Sequence, residues 1–351
     1  MKLRFLTSTP LDAVRGSGTF AGIHTLACAL EGLGVEVELV APQFRLPVYT
    51  LTRLIFNEQL RRRPPAGCDL TVGFDLDGYR IAGRSRVPHV ASIKGVIADE
   101  MGFERGLTRW TMAIQAACER THARRADLVM TTSEYAALRL RQLYGFERAP
   151  AIVPEPIDLA AWRELFRRNA GAPEPGRFTV LTVCRFYRRK RLPVLLAAAA
   201  RLRERVRGLE VRIVGGGPEA RKLHRMSREL GLDQTVRWLG DVSQHELARE
   251  YNRADVFSLP SVQEGFGIVF LEAMAAGKPI VAARAAAVPE VVRHGILAEP
   301  EDAASLAQAI ERLYRDEGLR RSLAEAGRRE VEQYDAPRVA RRFLGELESL
   351  L

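Results

Sequence analysis

The feature that most constrains this chain is an alternation that runs its course and then begins again. Short β-branched, apolar runs trade places with stretches in which apolar residues recur every three or four positions. In the first half, residues 2–7, 35–42, 69–74, 88–93 and 127–132 read as strands, with helical patterns at 19–33, 97–125 and after Ser133–Glu134. In the second half, strands at 177–184, 209–215, 235–240, 255–260 and 279–283 alternate with helices at 191–206, 218–230, 243–253 and 267–276. Helices at 302–315, 318–333 and 336–350 close the chain. Such alternation predicts parallel sheets covered by helices on both faces. A length of 351 residues exceeds one ordinary core and suits two. Residues 150–176, with five prolines and two glycines, read as the connector. The expected architecture is α/β: two Rossmann-like domains, 1–160 and 161–333, facing across a cleft, with a C-terminal helix in 334–351 returning to the first domain.

Composition narrows the function. The net charge of +10 is shared evenly, +5 in residues 1–150 and +5 beyond, so it is not a basic tail. Spread charge suits an anionic small molecule or an anionic membrane surface. A nucleic-acid groove would gather basic residues into a stripe with interleaved aromatics, which the sequence lacks. No run of about 18 uncharged apolar residues occurs, and MKLRFLTSTP lacks the apolar core of a signal peptide. A cytoplasmic protein is expected, with a peripheral position on the inner face of the cell membrane as its one membrane option. Cys28, Cys68, Cys118 and Cys184 lie far apart and form no C-x-x-C pair, so neither zinc nor a disulfide framework is suggested. Only five basic residues are lysine: Lys2, Lys94, Lys190, Lys222 and Lys278. In so arginine-rich a chain, a lysine inside a motif carries information.

Three loops have the chemistry to hold a diphosphate. Arg15-Gly16-Ser17-Gly18-Thr19 follows the first strand and opens a helix, where free N–H groups meet anions. It does not complete the G-x-G-x-x-G fingerprint, which counts against a nicotinamide dinucleotide. A second loop, Cys184 to Lys190, carries Arg185 and Lys190 across a strand-to-helix turn, where two cations can converge on one phosphate pair. The third runs from Gln263 to Glu272. Its Glu264-Gly265-Phe266-Gly267 turn forms an anion nest ahead of a helix starting near Ile268. Glu272 lies eight residues after Glu264, just over two helical turns and about 12 Å deeper on the same side. The Ala-Met-Ala-Ala-Gly that follows Glu272 reads as buried, and a buried carboxylate needs a partner. Taken singly, each loop also has a plain reading: a structural turn, a solvated basic turn, and a capping glutamate followed by a surface one.

Set together, these phrases resemble the retaining glycosyltransferases of GT-B fold, glycosyltransferase family 4. The resemblance rests on Arg185 and Lys190, IVGGGPE (213–219), VRWLGDVSQHEL (236–247), ADVFSLPSVQEGFGIVFLEAMAAGKPIVA (254–282) and VPEVV (288–292). It implies a hexose-type transfer from a UDP- or GDP-sugar to a hydroxyl acceptor such as a glycan, glycolipid or lipid-linked intermediate. Configuration would be retained. No cofactor and no metal are expected, since the nucleotide sugar is a substrate. Arg185 and Lys190 would bind the diphosphate and stabilise the leaving group. Glu264 would contact the donor sugar, and Glu272 the ribose. Gly265, Phe266, Gly267 and Ile268 would offer backbone N–H groups. Gly216 and Gly217 would shape the nucleotide wall. Gly16, Gly18 and Thr19 would meet the diphosphate from the facing domain. Two readings compete: a nucleotide-sugar epimerase of the same fold, and a basic nucleic-acid-binding protein.

The chain departs from the family pattern in several places. Lys94, in Pro88-His89-Val90-Ala91-Ser92-Ile93-Lys94-Gly95, stands where members often carry histidine. It is expected to reach the donor phosphate or sugar with charge rather than imidazole chemistry. Glu155-Pro156 replaces the usual Asn-Gly, and Ala286-Ala287 replaces paired glycines. On the acceptor side the candidates are Asp75 and Asp77, which spell D-x-D, and Ser133, which also reads as a plain helix cap. Residues 49–63 combine Leu51, Leu54, Ile55, Phe56 and Leu60 with Arg53 and Arg61 to Arg63. That pattern fits a helix lying on anionic lipid, and equally one packed on its own domain.

Overall fold

The computed structural model describes residues 1–10, 17–169 and 171–350. The chain divides into two units, Met1–Pro156 with Ala336–Leu351, and Ile157–Asp335.

The first unit is built on six parallel strands: β1 (Lys2–Leu6), β2 (Glu36–Val40), β3 (Leu70–Phe74), β4 (His89–Ile93), β5 (Leu128–Thr131) and β6 (Ala151–Ile152). Their order is β2-β1-β3-β4-β5-β6. Strands β3 and β4 are buried along their whole length, as the middle of a sheet covered on both faces must be. Alternation sends neighbouring side chains to opposite layers. Leu3, Phe5, Leu70, Val72, Phe74 and Val90 pack with Ile23, Leu26 and Leu30 of the helix Ser17–Glu31. Ala91, Ile93 and Val129 pack with Ala116, Ala123 and Leu140 on the other side. The closing helix Ala336–Leu347 inserts Val339, Ala340, Phe343 and Leu347 into the first of these clusters. Phe343 meets Phe5 edge-on at 6.1 Å, so the last turns of the chain complete the core that its first strand begins.

The helix expected at 97–125 is broken. It runs Ile97–Glu100, tightens to a 3₁₀ turn at Met101–Phe103, and restarts as Gly106–Arg125. Gly106 adopts a left-handed φ of 57°, which ends one helical path and permits the next. Tyr49–Arg62 forms a helix whose Phe56 and Leu60 pack with Leu6 and Ile81, while Leu51 and Ile55 face solvent. Arg53 does not belong to its outer face. It is buried, with Nη2 3.4 Å from Asp77 and Nη1 donating to Gln115.

The second unit carries β7 (Phe178–Val183), β8 (Leu209–Val214), β9 (Val236–Gly240), β10 (Val256–Leu259), β11 (Ile280–Ala283) and β12 (Ile296–Ala298), all parallel. Their order is β12-β11-β10-β7-β8-β9. It opens inside the expected connector. Asp158 caps the helix Leu159–Arg168 by accepting from the Ala161 N–H at 2.8 Å. Trp162 and Phe166 pack on the core from one face, and Glu164 pairs with Arg167 and Arg168 on the other. Flanking prolines obscure this helix in the sequence. Strand β12 is likewise missed, because three residues at a sheet edge carry no readable period. Among the described residues, no helix is long and apolar enough to cross a membrane.

Candidate active site

In the second unit the strand order reverses between β7 and β10. From β7 the chain winds outward through β8 and β9, and from β10 through β11 and β12. Ligands of open α/β sheets bind outside the carboxyl ends of strands at such a switch point. The loops leaving β7 and β10 are the two that carry Arg185, Lys190 and Glu264, and β8 beside them delivers Gly215 to Gly217.

Lys190 lies on a 3₁₀ turn, Arg188–Lys190, and its Nζ donates to Glu264 Oε1 at 2.6 Å. Both side chains are close to nine-tenths hidden, 12% and 8% exposed. Arg185 lies at the surface, with Nη1 3.3 Å from Asp241 Oδ1 beyond β9. The two cations are thus held by different carboxylates. Cys184 registers the whole group: burial pushes its thiol up to about 12, against Lys190, Arg189 and Arg185, with Glu264 adding to the rise.

The glycines have steric reasons. Phe186 N–H donates to Gly216 O at 2.8 Å, tying the two loops together. A Cβ on Gly215, which has φ 114°, would lie 2.1 Å from Cys184 O, and one on Gly217 would lie 2.7 Å from Phe186 N. Gly216 itself faces open space. Gly267, at φ 95°, turns the chain into the helix Ile268–Ala275, and no side chain caps that helix. Phe266 buries its ring against Tyr334, so its backbone alone is available to a ligand. Glu272, inside the helix, accepts a hydrogen bond from Tyr251 Oη at 2.8 Å. Burial raises its carboxyl to about 7, and the tyrosine bond opposes the rise.

In the first unit, Gly16 lies outside the described residues. Gly18 and Thr19 occupy the first turn of the helix Ser17–Glu31, with Gly18 exposed. Lys94, past the end of β4, buries its Nζ 3.1 Å from Glu155 Oε2 and 5.7 Å above the Phe74 ring. Two of the three acceptor-side candidates, Asp77 and Ser133, are buried. Asp77 is fully buried, and its carboxylate accepts from Ser8 N–H, Ser8 Oγ, Asn57 Nδ2 and Arg53 Nη2. Ser133 is also buried, its Oγ accepting from Ala136 N–H as the cap of the helix Glu134–Tyr144. Asp75 keeps a small exposed edge, accepts from Lys94 N–H at 2.9 Å, and holds a left-handed φ of 54°. Beneath it His89 and His122 face each other, Nε2 to Nε2, at 2.7 Å. Burial holds both well below the usual histidine range, so this pair is neutral and structural. A cavity of 170 Å³ opens beside β1 and β2, lined in part by Thr9, Arg45 and Tyr49.

Residues 164–330 match the model of the glycosyl transferases group 1, and residues 78–155 that of a glycosyl transferase 4-like domain. A D-inositol 3-phosphate glycosyltransferase of Pseudarthrobacter chlorophenolicus is 31% identical over 387 aligned positions, covering 92% of this chain and 88% of that relative. This chain belongs to the group 1 glycosyl transferases. A GDP-mannose-dependent α-(1-6)-phosphatidylinositol monomannoside mannosyltransferase of Mycobacterium tuberculosis is 31% identical over 267 positions. That match covers 71% of this chain and 66% of the relative, just short of two-thirds of its length. The fold matches the solved sucrose-phosphate synthase of Thermosynechococcus elongatus, with a TM-score of 0.85 and 22% identity, over 99% of this chain and 98% of that one.

In this group 1 glycosyl transferase, sequence reasoning missed Gly215, Asp241, Glu155 and Tyr251. Gly215 stood in plain view beside Gly216. The others contact their partners across long stretches of chain, as Tyr251 does with Glu272, and no spacing rule relates them.

Proposed function

We propose that the enzyme transfers a hexose, with retention, from a GDP- or UDP-sugar to a hydroxyl acceptor on a glycan, glycolipid or lipid-linked intermediate, without a metal. The observation that carries this reading is the Lys190–Glu264 contact at the β7/β10 switch point, which sets a cation and a carboxylate side by side. A diphosphate draws Lys190 toward its leaving oxygen, and Glu264 is then free to accept from sugar hydroxyls. Arg185 adds a second, solvent-facing cation that exchanges Asp241 for phosphate. Two cations supply the charge that a metal would otherwise bring to the departing diphosphate. The start of the helix at Ile268, with Phe266 and Gly267, offers N–H groups to the same anion. Gly216 and Gly217 line the nucleotide side, and Glu272 takes the ribose. The leaving phosphate takes the proton of the attacking hydroxyl on the same face, which preserves the anomeric configuration.

The relatives' names point to GDP-mannose as donor and to inositol-based acceptors. A lipid-linked acceptor such as a phosphatidylinositol would draw the enzyme to an anionic membrane through residues 49–63, where Tyr49, Leu51 and Ile55 are exposed beside Arg61 and Arg62. The test is donor binding and transfer with GDP-mannose and UDP-glucose, in EDTA, for Glu264→Ala and Glu272→Ala. Glu264→Ala should chiefly lower turnover, and Glu272→Ala should weaken binding. Unchanged binding and turnover in both variants would refute the assignment.

A further inference from the structure

Glu272 is a lone charged residue in an otherwise apolar helix, Ile-Val-Phe-Leu-Glu-Ala-Met-Ala. What holds it is a side chain 21 positions earlier. The Tyr251 hydroxyl reaches Glu272 Oε2 at 2.8 Å, and Val269 O at 3.4 Å. The phenol has no freedom to leave. Its ring is fully buried, edge-on to Trp162 and Phe166 with centroids 6.0 and 6.2 Å away, and stacked on Phe257 at 5.9 Å. Trp162 and Phe166 belong to the helix Leu159–Arg168, and the residue after Tyr251 locks the end of that helix. Asn252 Nδ2 donates to Phe166 O at 2.8 Å and to Asn169 O at 2.9 Å. Burial, and then the Glu272 charge, drive the phenol far above the usual tyrosine range, so it stays protonated and can only donate to the carboxylate.

Glu272 is therefore an oriented acceptor, with one oxygen tied to a fixed donor. Helices Leu159–Arg168 and Glu317–Glu330, the 3₁₀ turn Val331–Tyr334 and strand β11 pack against its helix, and the helix Gln244–Arg253 reaches it through Tyr251. Among the described residues of all five, Tyr251 is the one titratable group that acts on it.

We propose that Tyr251 is a positioning residue for donor binding: it aims the Glu272 carboxylate and stabilises its charged form. This rests on the reading that Glu272 meets the ribose. Ribose hydroxyls donate to the ionised carboxylate, so affinity climbs as pH rises through the Glu272 transition and levels off above it. Removing the tyrosine hydroxyl takes one hydrogen bond from the charged form, which moves the midpoint upward by about one pH unit.

The experiment measures the dissociation constants of GDP-mannose and UDP-glucose by calorimetry from pH 5.5 to 8.5. A nucleotide sugar has its diphosphate esterified at both ends and brings no group that titrates near neutrality. The proteins are wild type, Tyr251→Phe, Glu272→Gln and Trp162→Phe. Wild type should gain about tenfold in affinity across the range. Tyr251→Phe keeps the packed ring, so its melting temperature should stay close to wild type while its midpoint moves up and its affinity at pH 7 falls several-fold. Glu272→Gln should be weak and flat. Trp162→Phe, which loosens the packing and leaves the hydroxyl, should keep the wild-type midpoint. A Tyr251→Phe curve that overlays wild type, beside a weak and flat Glu272→Gln, would overturn the role of Tyr251 and leave the donor site standing. Wild-type behaviour in Glu272→Gln would overturn the ribose reading itself.

Discussion

Lys190 and Glu264 allow stability and activity to be pulled apart. Their 2.6 Å contact is mostly hidden from solvent, and Lys190 is the one side-chain donor described for Glu264. Replacing Lys190 with methionine keeps the bulk of the side chain and leaves a buried carboxylate without its cation. Losing one partner of a fully buried pair costs about 3–5 kcal/mol. The residual exposure of both side chains lowers the expectation here to about 2–4 kcal/mol. Neutralising the second partner removes the uncompensated charge, so Lys190→Met/Glu264→Gln should regain most of that loss, with a coupling of about 1–3 kcal/mol. The second unit runs from Ile157 to Asp335, and in a unit of that size a melting drop of about 5–15 °C is expected for the single variant. The assay is a double-mutant cycle read twice, by thermal or urea unfolding and by transfer rate per folded molecule. Stability should return in the double variant while transfer stays lost, because neither methionine nor glutamine can hold a diphosphate or balance the charge that leaves with it. A double variant no more stable than Lys190→Met would refute the claim that electrostatics hold the pair. A double variant that recovers transfer would refute its place in the chemistry.

Three further outcomes follow from the same physical reasoning. Ala286 holds a left-handed φ of 52°, which glycine adopts without a Cβ clash, so Ala286→Gly should raise stability by about 0.5–1 kcal/mol in urea unfolding. Asp77 accepts from four donor atoms in a buried site, so Asp77→Asn should cost about 3–5 kcal/mol while the folded fraction keeps its wild-type transfer rate. Burial, opposed by Arg53, raises the Asp75 carboxyl from 3.8 to about 6. A folded pKa above the unfolded one gives stability that is whole below pH 4 and is lost as pH rises through 6. Asp75→Asn should flatten that slope, worth up to about 3 kcal/mol, in unfolding measured from pH 4 to pH 7.

The strand and helix alternation was legible because buried parallel strands read as apolar runs and their covering helices as three-to-four periods. The donor loops were legible for a related reason. Backbone approach at Gly217 and the turn at Gly267 admit little besides glycine, so the fold writes them into the sequence. The helix Leu159–Arg168 was hidden because prolines on both sides of it outweighed its amphipathic pattern, and β6 and β12 are too short to show a period. Arg53 misled by its place in a basic, apolar stretch. Only the fold brings Asp77 and Gln115, 24 and 62 residues away, to its guanidinium.

That contrast bears on where specificity lies in this enzyme. Both sheets reverse direction beside their first strand, at β1/β3 in one unit and β7/β10 in the other. The two switch points are filled differently. At β7/β10 the loops keep Lys190 and Glu264 paired with each other and Arg185 at the surface, so a bound anion can redistribute the same charges. At β1/β3 the charges of the described residues are spent internally: Asp77 is saturated by Ser8, Asn57 and Arg53, and Asp75 binds the backbone of Lys94. A ligand there would have to break buried hydrogen bonds to gain new ones, at a net loss. Among the described residues of the first unit, the Thr9, Arg45 and Tyr49 wall of the cavity is a surface beside that switch point left open to a ligand. Substitutions at Arg45 should change the Michaelis constant for the acceptor and leave donor affinity alone. Loss of donor binding in Arg45→Ala would place that wall on the donor side instead.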